Sequence, residues 1–252
     1  MSGPSSASTP SLPEDSFLRP PPDDSRYSRS PCPGLNALAN HGFIPRYGQK
    51  ITILELIHAI CVVYNFSWLL AFVLALAGVM TCGNGWSVSL HDLAKHNVIE
   101  HDRSMVHDDA PPNARFAPVL PSRSLLDQLL GLSPGSHLTF YDFATARSLR
   151  DEQSKRPMRK LHTRIANSEA VLAFLALAIQ QQQSTDDASE PLVPKSYLED
   201  WLWEEKLPNG WTRPTQTIGF KQVWRTRNKL EKLLGKIAHS PRTGEDRCSS
   251  NS

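Results

Sequence analysis

Net charge is the first thing this sequence lacks. Its 252 residues hold 27 Lys and Arg against 25 Asp and Glu, a formal charge of +2, so no strong global field exists to draw in nucleic acid or an anionic membrane. Nucleic acid is therefore not an expected partner. Cysteine is sparse too: Cys32, Cys61, Cys82 and Cys248 are too few and too scattered for a disulfide framework, and none sits in a CxxC pair that would open a structural zinc site. His91, His96, His101 and His107 match no common zinc-ligand spacing either. The N-terminal region shows no cationic start followed by a short apolar stretch, so no secretory leader is read. An intracellular location is the expectation, with secretion as the alternative. Period-2 alternation is almost absent and no internal repeat is visible, which points away from sheets and solenoids.

What is present is a loop-rich globular chain with 20 prolines and long helical patterns. Residues 1–18 are rich in Ser and Pro and read as a disordered tail, 19–238 as one domain, and 239–252 as a loose polar end. Pro33 suits the first helical position and Gly42 the residue just past a last turn, which brackets a short helix from 33 to about 41. Residues 59–82 form an uncharged run of 24, long enough to cross a bilayer. Asn65 interrupts it, and Ser67 is a good cap for a helix starting at Trp68. Two packed helices therefore explain the run better than a membrane span. Residues 125–130 read as a helix capped by Ser124 and followed by Gly131, and 144–179 as two helices broken near Pro157. Residues 180–190 read as a polar loop, with further helices over 197–205 and 220–237. The fold class is mostly α.

Three features could carry chemistry. Cys32 sits immediately before a helix N-terminus, where unpaired N–H groups and the helix dipole favour a thiolate. Glu100-His101-Asp102-Arg103-Ser104 compresses two acids, an imidazole and a hydroxyl. On a helix, Glu100 and Ser104 would share one face and offer oxygens to a hard cation such as Mg²⁺. Glu169 stands among apolar residues at the head of a hydrophobic helix, where burial would raise its pKa into the range useful for acid–base work.

The stretch Pro31-Cys32-Pro33-Gly34-Leu35-Asn36-Ala37-Leu38-Ala39-Asn40-His41-Gly42 resembles the haem-thiolate peroxidase family, which includes fungal chloroperoxidase and the short unspecific peroxygenases. The resemblance continues through His96-Asn97-Val98-Ile99-Glu100-His101-Asp102-Arg103-Ser104, Asn167-Ser168-Glu169-Ala170 and Leu207-Pro208-Asn209-Gly210-Trp211. It covers 19–234 in order, diverging between 108 and 164. It implies a single-domain helical fold with one haem b buried between helices and Cys32 as the proximal iron ligand. Glu169 would be the distal acid–base residue, with His101 assisting it. Glu100, Ser104, the His101 carbonyl and a haem propionate would form a structural Mg²⁺ site. The implied activity uses hydrogen peroxide to form Compound I and then hydroxylates, couples or halogenates a small organic substrate, as in fungal secondary metabolism. The alternative is a catalytically altered haem-binding accessory protein of the same fold. A monomer or weak dimer is expected. Many members carry an arginine where this chain has His107. Some larger members place an arginine two turns before the acid, where this chain has His162. Arg164 is five residues from Glu169 and off its face, so His101 is preferred as the charge stabiliser. Ile165 and Leu172 or Ala173 are expected to wall the pocket.

Overall fold

The computed structural model describes residues 17–154, 156–179 and 190–239. The expected tails, apart from residues 17, 18 and 239, the polar loop up to residue 189, and Cys248 lie outside these residues. Phe17 and Leu18 already belong to the fold: the Phe17 ring lies 5.3 Å from that of His41, and the Leu18 N–H donates to the Asn40 carbonyl. The described residues form eight α-helices and two antiparallel two-stranded ribbons, the mostly helical class expected.

Helix α1 (Pro33–Asn40) begins where proline fixes φ at the first helical position, with Cys32 extended just ahead of it. It ends in a Schellman-type turn. Gly42 takes φ +79°, and Phe43 N–H reaches back 2.9 Å to the Leu38 carbonyl. Helix α2 (Ile53–Tyr64) opens on a capping box between Thr52 and Glu55 and stops at Asn65, which adopts a left-handed φ of 53°. Helix α3 (Trp68–Thr81) is capped by Ser67, whose Oγ accepts from Leu70 N–H. The uncharged run thus becomes a packed pair of helices, and no helix among the described residues is long and apolar enough to cross a membrane.

Strands β1 (Ile51–Thr52) and β2 (Ser87–Val88) pair with Ile51 opposite Val88, and a 3-10 turn follows over Leu90–Ala94. Residues 95–122 are irregular, with Ala117 N–H bonded to the Ala94 carbonyl and Ser122 N–H to the Val106 carbonyl. Helix α4 (Arg123–Leu130) starts after Ser122 rather than the expected Ser124. Helix α5 (Phe140–Gln153) begins four residues earlier than expected, because Thr139 and Asp142 form a second capping box. Helix α6 (Lys160–Leu177) follows the break around Pro157. Strands β3 (His137–Leu138) and β4 (Val193–Pro194) pair, helix α7 (Lys195–Leu198) runs into a π-helical turn over Glu199–Trp203, and helix α8 (Phe220–His239) packs on α5 and α6.

Aromatic residues lock these parts together. Phe140 and Phe143 of α5 meet Phe174 of α6 edge-on at 4.9 and 5.3 Å. Tyr64 at the end of α2 donates its hydroxyl hydrogen to the Gly34 carbonyl at 2.9 Å and accepts from Trp201 Nε1 at 3.2 Å. A Cβ on Gly34 would lie 3.0 Å from a ring carbon of Trp201, so glycine is what lets the first turn of α1 sit against this pair. The residue after Cys32 and Pro33 is therefore pinned from behind.

Candidate active site

The thiol of Cys32 combines two properties that rarely coincide. It is exposed, yet protein surrounds it closely enough that loss of hydration pushes its pKa up to about 11. Leu35 and Gly34 N–H groups pull the pKa down, although neither closes a capping hydrogen bond. The carboxylates of Glu169 and Glu205 push it up. This corrects the expectation of a ready thiolate: the helix terminus is present, but burial outweighs it. The sulfur needs a positive partner to ionise, and a ferric iron is one.

On α6, Glu169 is reached by the irregular loop that follows β2. Its Oε2 lies 3.2 Å from Nε2 of His101, whose Nδ1–H donates to the Asp102 carbonyl at 2.8 Å. Burial opposes the positive charge on His101, but attraction to Glu169 and these two hydrogen bonds outweigh it, raising its pKa to about 9. At neutral pH His101 is thus an imidazolium held against a carboxylate. Glu169 itself differs from expectation: its side chain is 57% exposed, so the premise of a buried carboxylate fails, while the buried partner is His101 at 3%. The open side of Glu169 faces away from the core, on the helix face it shares by spacing with half-buried Ile165 and Leu172, whereas Ala173 is buried in the core.

The other members of the motif fall differently from the helical reading. Residues 100–110 contain no helix, so Glu100 and Ser104 share a loop rather than a helix face. Glu100 Oε2 is 2.7 Å from His96 Nδ1, and burial raises its pKa despite that contact. Ser104 Oγ touches His107 Nδ1 at 3.2 Å and accepts from the N–H groups of Val106 and His107. Burial drives the His107 pKa down to about 4, leaving it neutral at pH 7. His162 is buried with its ring 6.4 Å from that of His101, and Arg164 is exposed.

Two residues that sequence reasoning missed hold this loop. Arg147, 1% exposed on α5, donates to the Arg103 carbonyl at 2.7 Å and pairs with Asp151 at 2.9 Å. Arg150 donates to the Ser104 carbonyl at 2.6 Å and pairs with Asp109 at 2.9 Å. The available signal was the i,i+4 spacing of Arg147 and Asp151, which reads equally well as a solvated helix face. A cleft of about 560 Å³ opens nearby, with Arg29, His91, Leu120 and Glu205 among its walls. It is not lined by Cys32, His101 or Glu169, so it adjoins the site without containing it.

An accessible thiol at a helix start, and an acid–imidazole pair whose acid acts on that thiol by charge, suit an iron porphyrin with a cysteine ligand. The model of the family described as peroxidase, family 2, matches residues 15–216. The chain belongs to this peroxidase family. It is 28% identical over 223 residues to a chloroperoxidase of Leptoxyphium fumago, covering 79% of this chain and 57% of that protein. It is 33% identical over 100 residues to an aromatic peroxygenase of Coprinellus radians, covering 32% of this chain and 38% of that protein. Against an aromatic peroxidase, fscJ, of Fusarium equiseti it is 46% identical over 70 residues, or 28% of this chain and 16% of that protein. The matched regions thus span between 16% and 57% of these relatives' own lengths. As a family 2 peroxidase, the chain is expected to take haem.

Proposed function

We propose that this chain is a haem-thiolate peroxidase or peroxygenase that uses hydrogen peroxide to oxidise an aromatic or other small organic molecule. The observation that carries the reading is the His101–Glu169 pair at 3.2 Å, with Glu169 coupled by charge to the accessible Cys32 thiol. Cys32 would hold the iron. Thiolate-ligated haem, when bound, supplies the redox chemistry that cleaves the O–O bond and oxidises the substrate.

The chain's own residues do the proton work. Glu169 presents a carboxylate oxygen not engaged by His101, and that oxygen accepts a proton from hydrogen peroxide. The same carboxyl returns the proton to the oxygen that departs as water, so one group serves as base and then acid. His101 stabilises the carboxylate form by donating from Nε2. Its ring is fixed by Nδ1–H bonded to the Asp102 carbonyl. Ile165 and Leu172 flank Glu169 and would exclude water from one side.

The same reading includes a divalent cation. Glu100 offers a buried carboxylate, now held by His96, with Ser104 Oγ and the His101 carbonyl as further hard oxygen donors. No group of three or more His, Cys, Asp and Glu side chains could hold a metal among the described residues, so a Mg²⁺ ion here would complete its shell from the haem propionate and water. The contact between Glu100 and His96 would have to open. If the ion is structural, a chelator should lower the melting temperature of the haem-loaded protein, and added Mg²⁺ should restore it. No change would remove the ion from the account.

Product analysis with isotopically labelled peroxide tests the reaction itself. Label in the product shows oxygen transfer, and unlabelled coupled product shows one-electron oxidation. Glu169→Gln should lower kcat about 10²- to 10⁴-fold while leaving haem uptake intact, the size of a positioned acid–base contribution. Unchanged turnover would contradict the proton role.

A further inference from the structure

The backbone of Cys32 is bonded into a polar chain that none of the chemistry above uses. Glu205 is 6% exposed, and its backbone is held at φ 52°, an unfavourable region for a residue with a Cβ. Its Oε1 accepts from Asn36 Nδ2 at 2.6 Å, and its carbonyl accepts from Asn40 Nδ2 at 3.0 Å. Asn36 is fully buried on α1. Its Nδ2 also donates to the Ser30 carbonyl at 2.7 Å, and its Oδ1 accepts from Ser30 N–H at 2.9 Å. Ser30, also fully buried, accepts from Cys32 N–H through its Oγ at 3.2 Å, and Asn36 N–H closes the ring on the Cys32 carbonyl at 3.1 Å. The chain therefore runs from a carboxylate to an amide to a hydroxyl to the cysteine backbone.

No cation closes an ion pair with Glu205 among the described residues. Arg29 is spent on Asn40 and the Ser28 carbonyl, and Arg19 on Glu204 and the Trp203 carbonyl. Arg19 and Arg29 attract Glu205 without forming an ion pair with it, and burial raises its pKa despite them, so a buried acid on this strained backbone is costly for a fold that could place an amide or an apolar side chain there. Outer-shell groups of this kind orient a metal ligand and tune its electronics.

We propose that Glu205 is a positioning residue for the Cys32 ligand, holding the cysteine backbone through Asn36 and Ser30 while its negative charge strengthens the sulfur as a donor to iron. The proposal rests on the reading that Cys32 holds haem. Glu205→Gln isolates the charge, because the glutamine carbonyl can still accept from Asn36 Nδ2. In the haem-loaded full chain this variant should keep the red-shifted Soret band of the reduced CO complex and show a raised Fe(III)/Fe(II) midpoint potential. Glu205→Asp should bring the potential back towards wild type. Asn36→Ser breaks the link with the carboxylate retained, and should convert part of the CO complex to an unshifted band. This second arm decides the positioning role even where Glu205→Gln takes up no haem.

The outcomes separate cleanly. A wild-type protein without the red-shifted band contradicts the haem-thiolate reading and this proposal with it. A wild-type protein that has the band, with an unmoved potential in Glu205→Gln and a wild-type band in Asn36→Ser, contradicts the proposal alone.

Discussion

His101 holds its charge chiefly because Glu169 faces it, and that dependence sets a pH signature. Its pKa stands at about 9 in the folded chain against an ordinary 6.5. A base whose pKa is raised on folding lends stability that is complete below about pH 6.5 and lost as pH climbs through about 9. Glu169 is more than half exposed, so water screens the pair and the gain is on the order of 1–2 kcal/mol rather than the full shift. Urea unfolding of the haem-free protein should weaken by that amount between pH 6.5 and 9.5, and His101→Gln should flatten the change. Cys32 and Glu169 stood out in the sequence as unusual positions, the first by the prolines and helix start around it and the second by its apolar neighbours and by resemblance. The physical reasons assigned to them were less sound. Burial dominates at Cys32, and exposure rather than burial marks Glu169, because a local pattern gives neither the depth of a site nor which partner lies beneath the surface.

At the scale of elements, the site depends on how α5 grips an irregular loop. Arg147 and Arg150 hold the carbonyls of Arg103 and Ser104, and with them the direction in which His101 points. Arg147→Met removes a buried donor and leaves the Arg103 carbonyl and Asp151 short of a partner, so a loss of about 3 kcal/mol is expected in thermal or urea unfolding. Peroxide turnover should fall further than that loss of folded protein explains, since His101 loses its support. Gly34→Ala should also destabilise, as its methyl would press on the Trp201 ring at 3.0 Å. Most helices were readable because caps and breakers announce them: Pro33 and Gly42 around α1, and Asn65 and Ser67 between α2 and α3. The early start of α5 was missed because its signal, the Thr139–Asp142 capping box, lies outside the apolar periodicity. Residues 95–122 were opaque. Their order comes from long-range hydrogen bonds, such as Ala117 to Ala94, that no window of sequence contains.

Across the whole molecule, the uncharged run that could have spanned a bilayer is an ordinary pair of packed helices, and Tyr64 at the end of α2 braces the first turn of α1 through Gly34 and Trp201. The fold thus spends its most apolar segment on a rigid backing for the cysteine. If haem binds the folded chain through Cys32, it should stabilise by mass action, raising the melting temperature as free haem exceeds its dissociation constant. Cys32→Ala should lose most of that rise. The central claim, that Cys32 is the iron ligand, is tested most directly by the visible spectrum of the reduced, CO-bound protein. Thiolate ligation predicts a strongly red-shifted Soret band that Cys32→Ala abolishes. An unshifted band in the wild type, or a red-shifted band that survives in Cys32→Ala, would contradict it.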